Sequence, residues 1–391
     1  MKNNFDEIIE RKNTDSLKYD FAARLGKPEG ILPLWVADMD FKSPSCVIDA
    51  LIEKSRHGIF GYSNTREDYF NALRHWFSEQ FSWNVKPEWL VKTPGVVYAI
   101  CTAIRALTEE GDAVLIQQPV YYPFSGSVIA NRRKLIVNQL VYSKGKYTID
   151  FSDFEEKIIE NKVKLFILCS PHNSVGRVWS KEELVRIGEL CLKHGVLVIS
   201  DEIHADFTYP GHRHLVFADL KPEFSDITIT CTAPTKTFNL AGLQISNIFI
   251  SNQEIRRRFK KEIAASGYSD PNIMGIVACR AAYSGGSEWL SELREYLLDN
   301  LNYLRDFLKQ RLPQIKLVEP EGTYLVWLDF NALNLDDRKL EDFIENQAGL
   351  WLNSGTKFGA GGEGFQRINI ACPRSTLEKA LIQLEQAINR L

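Results

Sequence analysis

The sequence predicts an α/β fold on a mostly parallel sheet, with a smaller α+β domain after it. Three observations carry that reading. First, the middle of the chain repeats short, continuous apolar runs at residues 113–116, 163–169, 196–199, 227–230 and 248–250. Runs of this length and composition suit strands buried on both faces, as in a parallel sheet covered by its crossovers. Second, helical stretches separate the runs, and one of them opens with the capping box Ser180-Lys181-Glu182-Glu183. There Ser180 accepts from the amide three residues on and Glu183 reaches back. Strand, helix, strand in this order implies right-handed crossovers. Third, the pattern changes near residue 289. Trp289, Leu293, Tyr296, Leu297, Leu301, Leu304, Phe307 and Leu308 recur at helical spacing, giving one long amphipathic helix.

A short sheet pattern follows around Tyr324 and Leu328. A second capping box, Ser375-Thr376-Leu377-Glu378, precedes Leu381, Leu384 and Ile388 on one helical face. The expected organisation is an N-terminal arm over 1–45 laid against the smaller domain, a large α/β domain over 46–288, and a small α+β domain over 289–391.

Composition narrows the function classes. The 391 residues are 45% hydrophobic and 25% charged, the profile of a packed globular protein. With 47 basic against 50 acidic residues there is no nucleic-acid footprint. No apolar run approaches a membrane span, and the polar, mixed-charge N-terminus does not read as a signal or transit peptide. Seven widely spaced cysteines without a Cys-x-x-Cys motif point to free thiols, a reducing cytoplasm and no structural metal site. His212-Arg213-His214 reads as a solvated loop.

In an open parallel sheet, ligands bind past the carboxyl ends of the strands. After Cys169 comes Ser170-Pro171-His172-Asn173-Ser174. After Ile199 comes Ser200-Asp201-Glu202-Ile203-His204. After Thr230 comes Cys231-Thr232-Ala233-Pro234-Thr235-Lys236-Thr237-Phe238-Asn239-Leu240-Ala241-Gly242. One such polar residue is often a helix cap. An Asn, an Asp and a Lys past three successive strands converge on one edge, which caps do not explain.

With these residues in order, the chain resembles the pyridoxal-phosphate enzymes of the aspartate aminotransferase fold. Trp35-Val36-Ala37-Asp38-Met39-Asp40-Phe41, the Asp-Glu-Ile-His form at 201–204 and the segment from Lys236 to Gly242 resemble its carbon–sulfur lyase branch, the cystathionine β-lyases of the MalY/PatB type. The resemblance runs from about Trp35 to the C-terminus. It implies a seven-stranded large sheet, pyridoxal 5′-phosphate as cofactor, a small amino-acid substrate and a homodimer with shared sites.

The resemblance also implies residue roles. Lys236 carries the cofactor and removes the α-proton, which requires an amine that is partly deprotonated. Asp201 pairs with the pyridine nitrogen, so that the ring stores the charge left on the substrate. Asn173 and His204 lie beside the ring oxygen, and Tyr121 stacks on the ring. Gly95, Val96 and Val97 place the phosphate at a helix N-terminus, where free amides and the positive dipole end favour an anion. Thr235 and a neighbouring subunit's Tyr62 assist there. Arg367 binds the substrate carboxylate with its planar fork, and Trp35 and Asp38 border the substrate. Arg374 is structural.

Gly359-Ala-Gly361-Gly-Glu-Gly364 matches G-x-G-x-x-G but lacks the strand before and the helix after that a dinucleotide site needs. It reads as a loop leading to Arg367. The chain departs from aminotransferases at Ser174, Ala233, Gln244 and His204, which replace a proline, a hydroxyl, a phosphate-binding arginine and a tyrosine. The expected reaction is α,β-elimination of a sulfur-bearing amino acid. Transamination is the alternative, and a regulatory protein on the same fold is a third.

Overall fold

The computed structural model describes residues 3–391. A short strand β1 (Leu32–Pro33) comes first. The large sheet draws on β2 (Leu90–Thr93), β3 (Ala113–Gln118) and β4 (Lys134–Gln139). A small hairpin, β5 (Val141–Ser143) and β6 (Lys146–Thr148), precedes β7 (Leu165–Cys169), β8 (Leu197–Asp201), β9 (Thr228–Thr232) and β10 (Ser246–Phe249). The C-terminal part holds β11 (Lys316–Val318), β12 (Leu325–Asp329), β13 (Leu350–Trp351), β14 (Asn353–Ser354) and β15 (Phe365–Asn369).

The large sheet has seven strands in the order β2-β10-β9-β8-β7-β3-β4. Only β10 runs against its neighbours. Every residue of β3, β7 and β9 is buried, as continuous apolar runs require. The sequence pattern missed β2 and β4. These are the edge strands, and their burial alternates with partly exposed positions.

The Ser180–Glu183 capping box forms on the helix Lys181–His194, with both reciprocal bonds present. The one expected at Ser375 does not. That helix starts at Arg374 after Pro373, so Ser375 lies inside its first turn. A long-range donor pair replaces the cap: the Arg374 amide donates to the Tyr296 hydroxyl at 2.7 Å.

The long amphipathic helix spans Ser287–Arg311. Its apolar stripe packs with the second, four-stranded sheet, ordered β11-β12-β15-β14. The N-terminal segment joins the same core. Phe5 sits edge-on to Phe41 and to Trp289, and β1 pairs in parallel with β13. Burying side chains of this size stabilises by about 1.5–3 kcal/mol each. Among the described residues no helix is long and apolar enough to cross a membrane, and all seven cysteines are free.

His214 overturns the expectation of a solvated loop. It is buried, and its Nε2 lies 2.7 Å from Glu202 Oε2. Glu202 follows β8, so the loop folds inward to supply that carboxyl with a partner.

Candidate active site

Five strand ends meet at one edge of the large sheet. β2 runs into Gly95 and the helix Val96–Leu107, β3 into Tyr121, β7 into Asn173, β8 into Asp201 and His204, and β9 into Thr235 and Lys236. Backbone bonds lock these loops together. The Tyr121 amide donates to the Asn173 carbonyl at 2.9 Å, the Ser170 amide to the Asp201 carbonyl at 3.0 Å, and the Glu202 amide to the Cys231 carbonyl at 2.9 Å.

Asp201 is buried and, among the described residues, has no cationic partner within ion-pair distance; its Oδ1 accepts from the Ile203 amide at 3.2 Å. Burial pushes its carboxyl up to about 7. Lys236 carries the opposite strain: burial brings its amine down to about 8, although Asp38 and Asp201 pull the other way. An amine held near 8 is partly unprotonated at neutral pH, as a nucleophile or base must be. Burial, with Lys236 and Arg367 nearby, lowers His204 to about 3 and leaves a neutral imidazole. Its Nδ1 is buried without a hydrogen-bond partner.

Arg367 enters from β15 of the second sheet. Its Nη1 donates to Asn173 Oδ1 at 2.8 Å. Its Nη2 donates to the Trp35 carbonyl at 2.8 Å and to Asn353 Oδ1 at 2.6 Å. The guanidinium lies over the Phe358 ring, and burial lowers it to about 10. Three contacts leave Nε–H unpartnered, so the fork retains donors for a ligand.

The segment 35–41 crosses this edge as a strap. Trp35 stacks on Trp351 at 4.6 Å, and its buried Nε1 has no partner. Asn369 donates to the Val36 carbonyl at 2.8 Å and the Asp38 carbonyl at 2.6 Å. Lys236 Nζ donates to the Ala37 carbonyl at 2.8 Å. Asn239 holds the Met39 and Phe41 carbonyls, both at 3.0 Å. Asp38 Oδ2 is 2.8 Å from Arg11, so that carboxylate turns toward the N-terminal segment.

At the helix Val96–Leu107, the first turn of amides has no intrahelical acceptor. A side chain on Gly95 would meet nothing within 4 Å, so the space ahead of this helix is open. Thr235 is half-buried in the short helix Pro234–Thr237. Tyr62 is fully exposed, beside exposed Ile59 and Phe60. The Gly359–Gly364 motif is a loop between a 3-10 turn and β15. Arg374 binds Asn300 and caps the Tyr303 ring.

The donor set fits pyridoxal phosphate. A buried carboxyl lacking a cation matches a ring nitrogen, a lowered amine matches an aldehyde, and open helix amides match a phosphate. Asn353, Asn369, Asn239 and Arg11 were not legible as site residues, because each acts by a contact across a long stretch of chain.

Comparison with known proteins agrees with this architecture. The family model "Aminotransferase class I and II" matches residues 29–384. Cystathionine beta-lyase PatB of Bacillus subtilis is 44% identical over 386 residues, covering 99% of this chain and all of PatB. The crystal structure of cystalysin from Treponema denticola, which contains a pyridoxal 5′-phosphate cofactor, superposes with a TM-score of 0.96 at 38% identity and covers both chains completely. The PLP-bound C-S lyase of Staphylococcus hominis gives a TM-score of 0.92 at 35% identity, over 98% of this chain and 97% of that one. With a strap, a sheet edge and a matching model over nearly its full length, this chain belongs to the class I and II aminotransferase family.

Proposed function

We propose that this chain is a pyridoxal-phosphate-dependent carbon–sulfur β-lyase. Its substrate is a sulfur-bearing L-amino acid such as cystathionine, and its products are pyruvate, ammonia and a thiol. One observation carries the reading. Asn173, a buried Asp201 and a half-buried Lys236 share one sheet edge, in a chain 44% identical end to end with a cystathionine beta-lyase.

When bound, pyridoxal phosphate supplies an aldehyde for an amine and a ring that accepts the electron pair released at the substrate Cα. The chain's residues do the rest. Lys236, its amine partly unprotonated, would hold the cofactor through that aldehyde and is the base that would take the substrate Cα proton. Asp201 keeps a proton on the ring nitrogen. Asn173, whose oxygen accepts from Arg367, would offer its amide N–H groups to the ring oxygen. The neutral His204 and the Tyr121 ring would help hold the ring. The amides of Val96 and Val97, after Gly95, hold the phosphate with help from Thr235. Arg367 orients the substrate carboxylate, beneath Trp35.

With the Cα proton on Lys236, the electron pair expels the β-thiolate and the Cβ–S bond breaks. The thiolate takes up a proton, and the three-carbon remainder adds water to give pyruvate and ammonia. The working unit is a cytoplasmic homodimer. The exposed Tyr62 reaches the neighbouring phosphate, a role supported by its position among exposed apolar side chains.

The test is purified protein with cystathionine and no oxo-acid acceptor. Pyruvate and free thiol in equal amounts support the lyase. Turnover that requires 2-oxoglutarate and yields no pyruvate overturns it in favour of transamination.

A further inference from the structure

Two cations and two carboxylates form a closed cluster behind the strap. Arg11 Nη2 is 2.8 Å from Asp38 Oδ2, and Arg11 Nη1 is 2.8 Å from Asp40 Oδ1. Lys18 Nζ is 2.7 Å from Asp40 Oδ2 and 3.6 Å from Asp38 Oδ1. The Lys18 side chain is 0% exposed, and both cations lie over the Tyr19 ring. Arg11 also donates to the Met39 carbonyl at 3.2 Å. Burying Lys18 and Asp40, with Arg11 and Asp38 half-buried beside them, is costly unless each charge is matched, and no step of the elimination uses them. Their placement supplies the reason. Asp38 sits on the strap one residue from Ala37, whose carbonyl accepts from Lys236 Nζ.

We propose that Arg11 and Lys18 are positioning residues for Lys236: by pairing with Asp38 and Asp40 they fasten the strap and keep a carboxylate charge from acting unopposed on the lysine. This rests on the functional reading above and deepens it.

The groups facing Lys236 are Asp38 on the strap, Asp201 at the end of β8 and Arg367 on β15, with His204 close by. Arg11 is the nearer of the two cations that oppose Asp38 without touching Lys236, the other being Lys18. Removing it leaves Asp38 opposed by the more distant Lys18 and so better able to favour the protonated lysine nitrogen. Removing Asp38 as well cancels that effect. The sign of the response therefore separates a charge effect from simple loosening.

The experiment titrates the visible absorbance of the purified holoenzyme against pH, with thermal unfolding recorded for each variant. In Arg11→Gln the midpoint of the spectral transition moves to higher pH, by roughly half a pH unit or more. Arg11→Lys restores the original midpoint. Arg11→Gln/Asp38→Asn returns it to the original value or below. Lys42→Gln is the control. It breaks the exposed Lys42–Glu7 pair of the same N-terminal segment and leaves the midpoint in place.

An unchanged midpoint in Arg11→Gln, with only a lowered unfolding temperature, overturns the proposal. So does an equal shift in Lys42→Gln, which makes the effect general loosening. If Arg11→Gln does not accumulate folded, Asp38→Asn alone carries the test. Its midpoint falls if the proposal holds, and a rise or no change overturns it. The absence of any visible band in the unaltered holoenzyme overturns the functional reading itself, an outcome distinct from all of these.

Discussion

Arg367 Nη1 donates to Asn173 Oδ1 at 2.8 Å, across 194 residues of sequence. The bond joins a strand of the four-stranded sheet to the loop beyond β7. It also fixes the face that Asn173 presents, since the oxygen end of the amide is turned to Arg367 and the N–H end points away from it. A residue assigned to the substrate therefore orients one assigned to the cofactor, and the two sites are a single hydrogen-bonded unit.

Arg367→Ala removes that unit's centre. Truncating a buried, hydrogen-bonded cation costs about 2–4 kcal/mol, roughly 30- to 1000-fold in kcat/KM. Arg367→Lys keeps the charge but not the fork, and recovers part of the loss. The pH profile shifts as well. Arg367 pushes the Lys236 amine down, so its removal moves the Lys236-linked limb of kcat/KM to higher pH. Steady-state kinetics across pH decide the matter; a wild-type profile with wild-type KM refutes the assignment.

Asp201→Asn has a pH signature in the cofactor-free protein. Burial raises the folded-state carboxyl to about 7 from an ordinary 3.8. A raised folded pKa gives stability that is complete below the unfolded value and is lost as pH climbs through the folded one. The cofactor-free wild type should thus weaken between about pH 4 and 8, whereas the amide variant lacks this loss. We expect the variant to be more stable at pH 8 by on the order of 2–4 kcal/mol, with the gap closing near pH 4. Denaturant titrations at several pH values measure it. A gap independent of pH contradicts the burial argument.

His214→Ala tests the buried pair with Glu202, both side chains being 1% exposed. Ser200 Oγ and the Phe217 amide still donate to Glu202 Oε1, but Oε2 loses its partner. Leaving a buried carboxyl half-satisfied costs about 2–4 kcal/mol. His214→Gln offers an N–H in place of the ring and should recover some of that. Urea unfolding reads the difference, and a loss under ~0.5 kcal/mol would show the pair to be ornamental.

How much of this was legible follows from the range of each interaction. Asn173, Asp201 and Lys236 could be placed because each directly follows a continuous apolar run, and such runs are local signals of a buried strand. The Ser180–Glu183 box was legible for the same reason: its bonds span three residues. Ser375 carried the same local signal and failed, since Tyr296 competes for the helix start from 78 residues away. His214 looked solvated because neither neighbour reveals Glu202 on the far side of the loop. Arg11, Asn239, Asn353 and Asn369 have no periodicity at all. Arg11, Asn239 and Asn369 act as single side chains holding a strap, and Asn353 as one holding Arg367, in a geometry that only the assembled fold creates.

Gly355→Ala probes the loop that delivers Arg367. A side-chain carbon at Gly355 would stand 2.0 Å from the Gly362 carbonyl oxygen and 2.9 Å from that of Phe365. Both are backbone atoms, so no rotamer change relieves the clash. The loop holding the G-x-G-x-x-G match must shift, and β14 and β15, which flank it, carry Asn353 and Arg367. Overpacking of this kind costs about 1–3 kcal/mol. The cofactor-side residues lie on the other sheet, so the visible absorbance of the holoenzyme should persist while KM for the amino acid rises several-fold. Loss of the absorbance would place the loop against the cofactor instead, and an unchanged KM would detach it from Arg367.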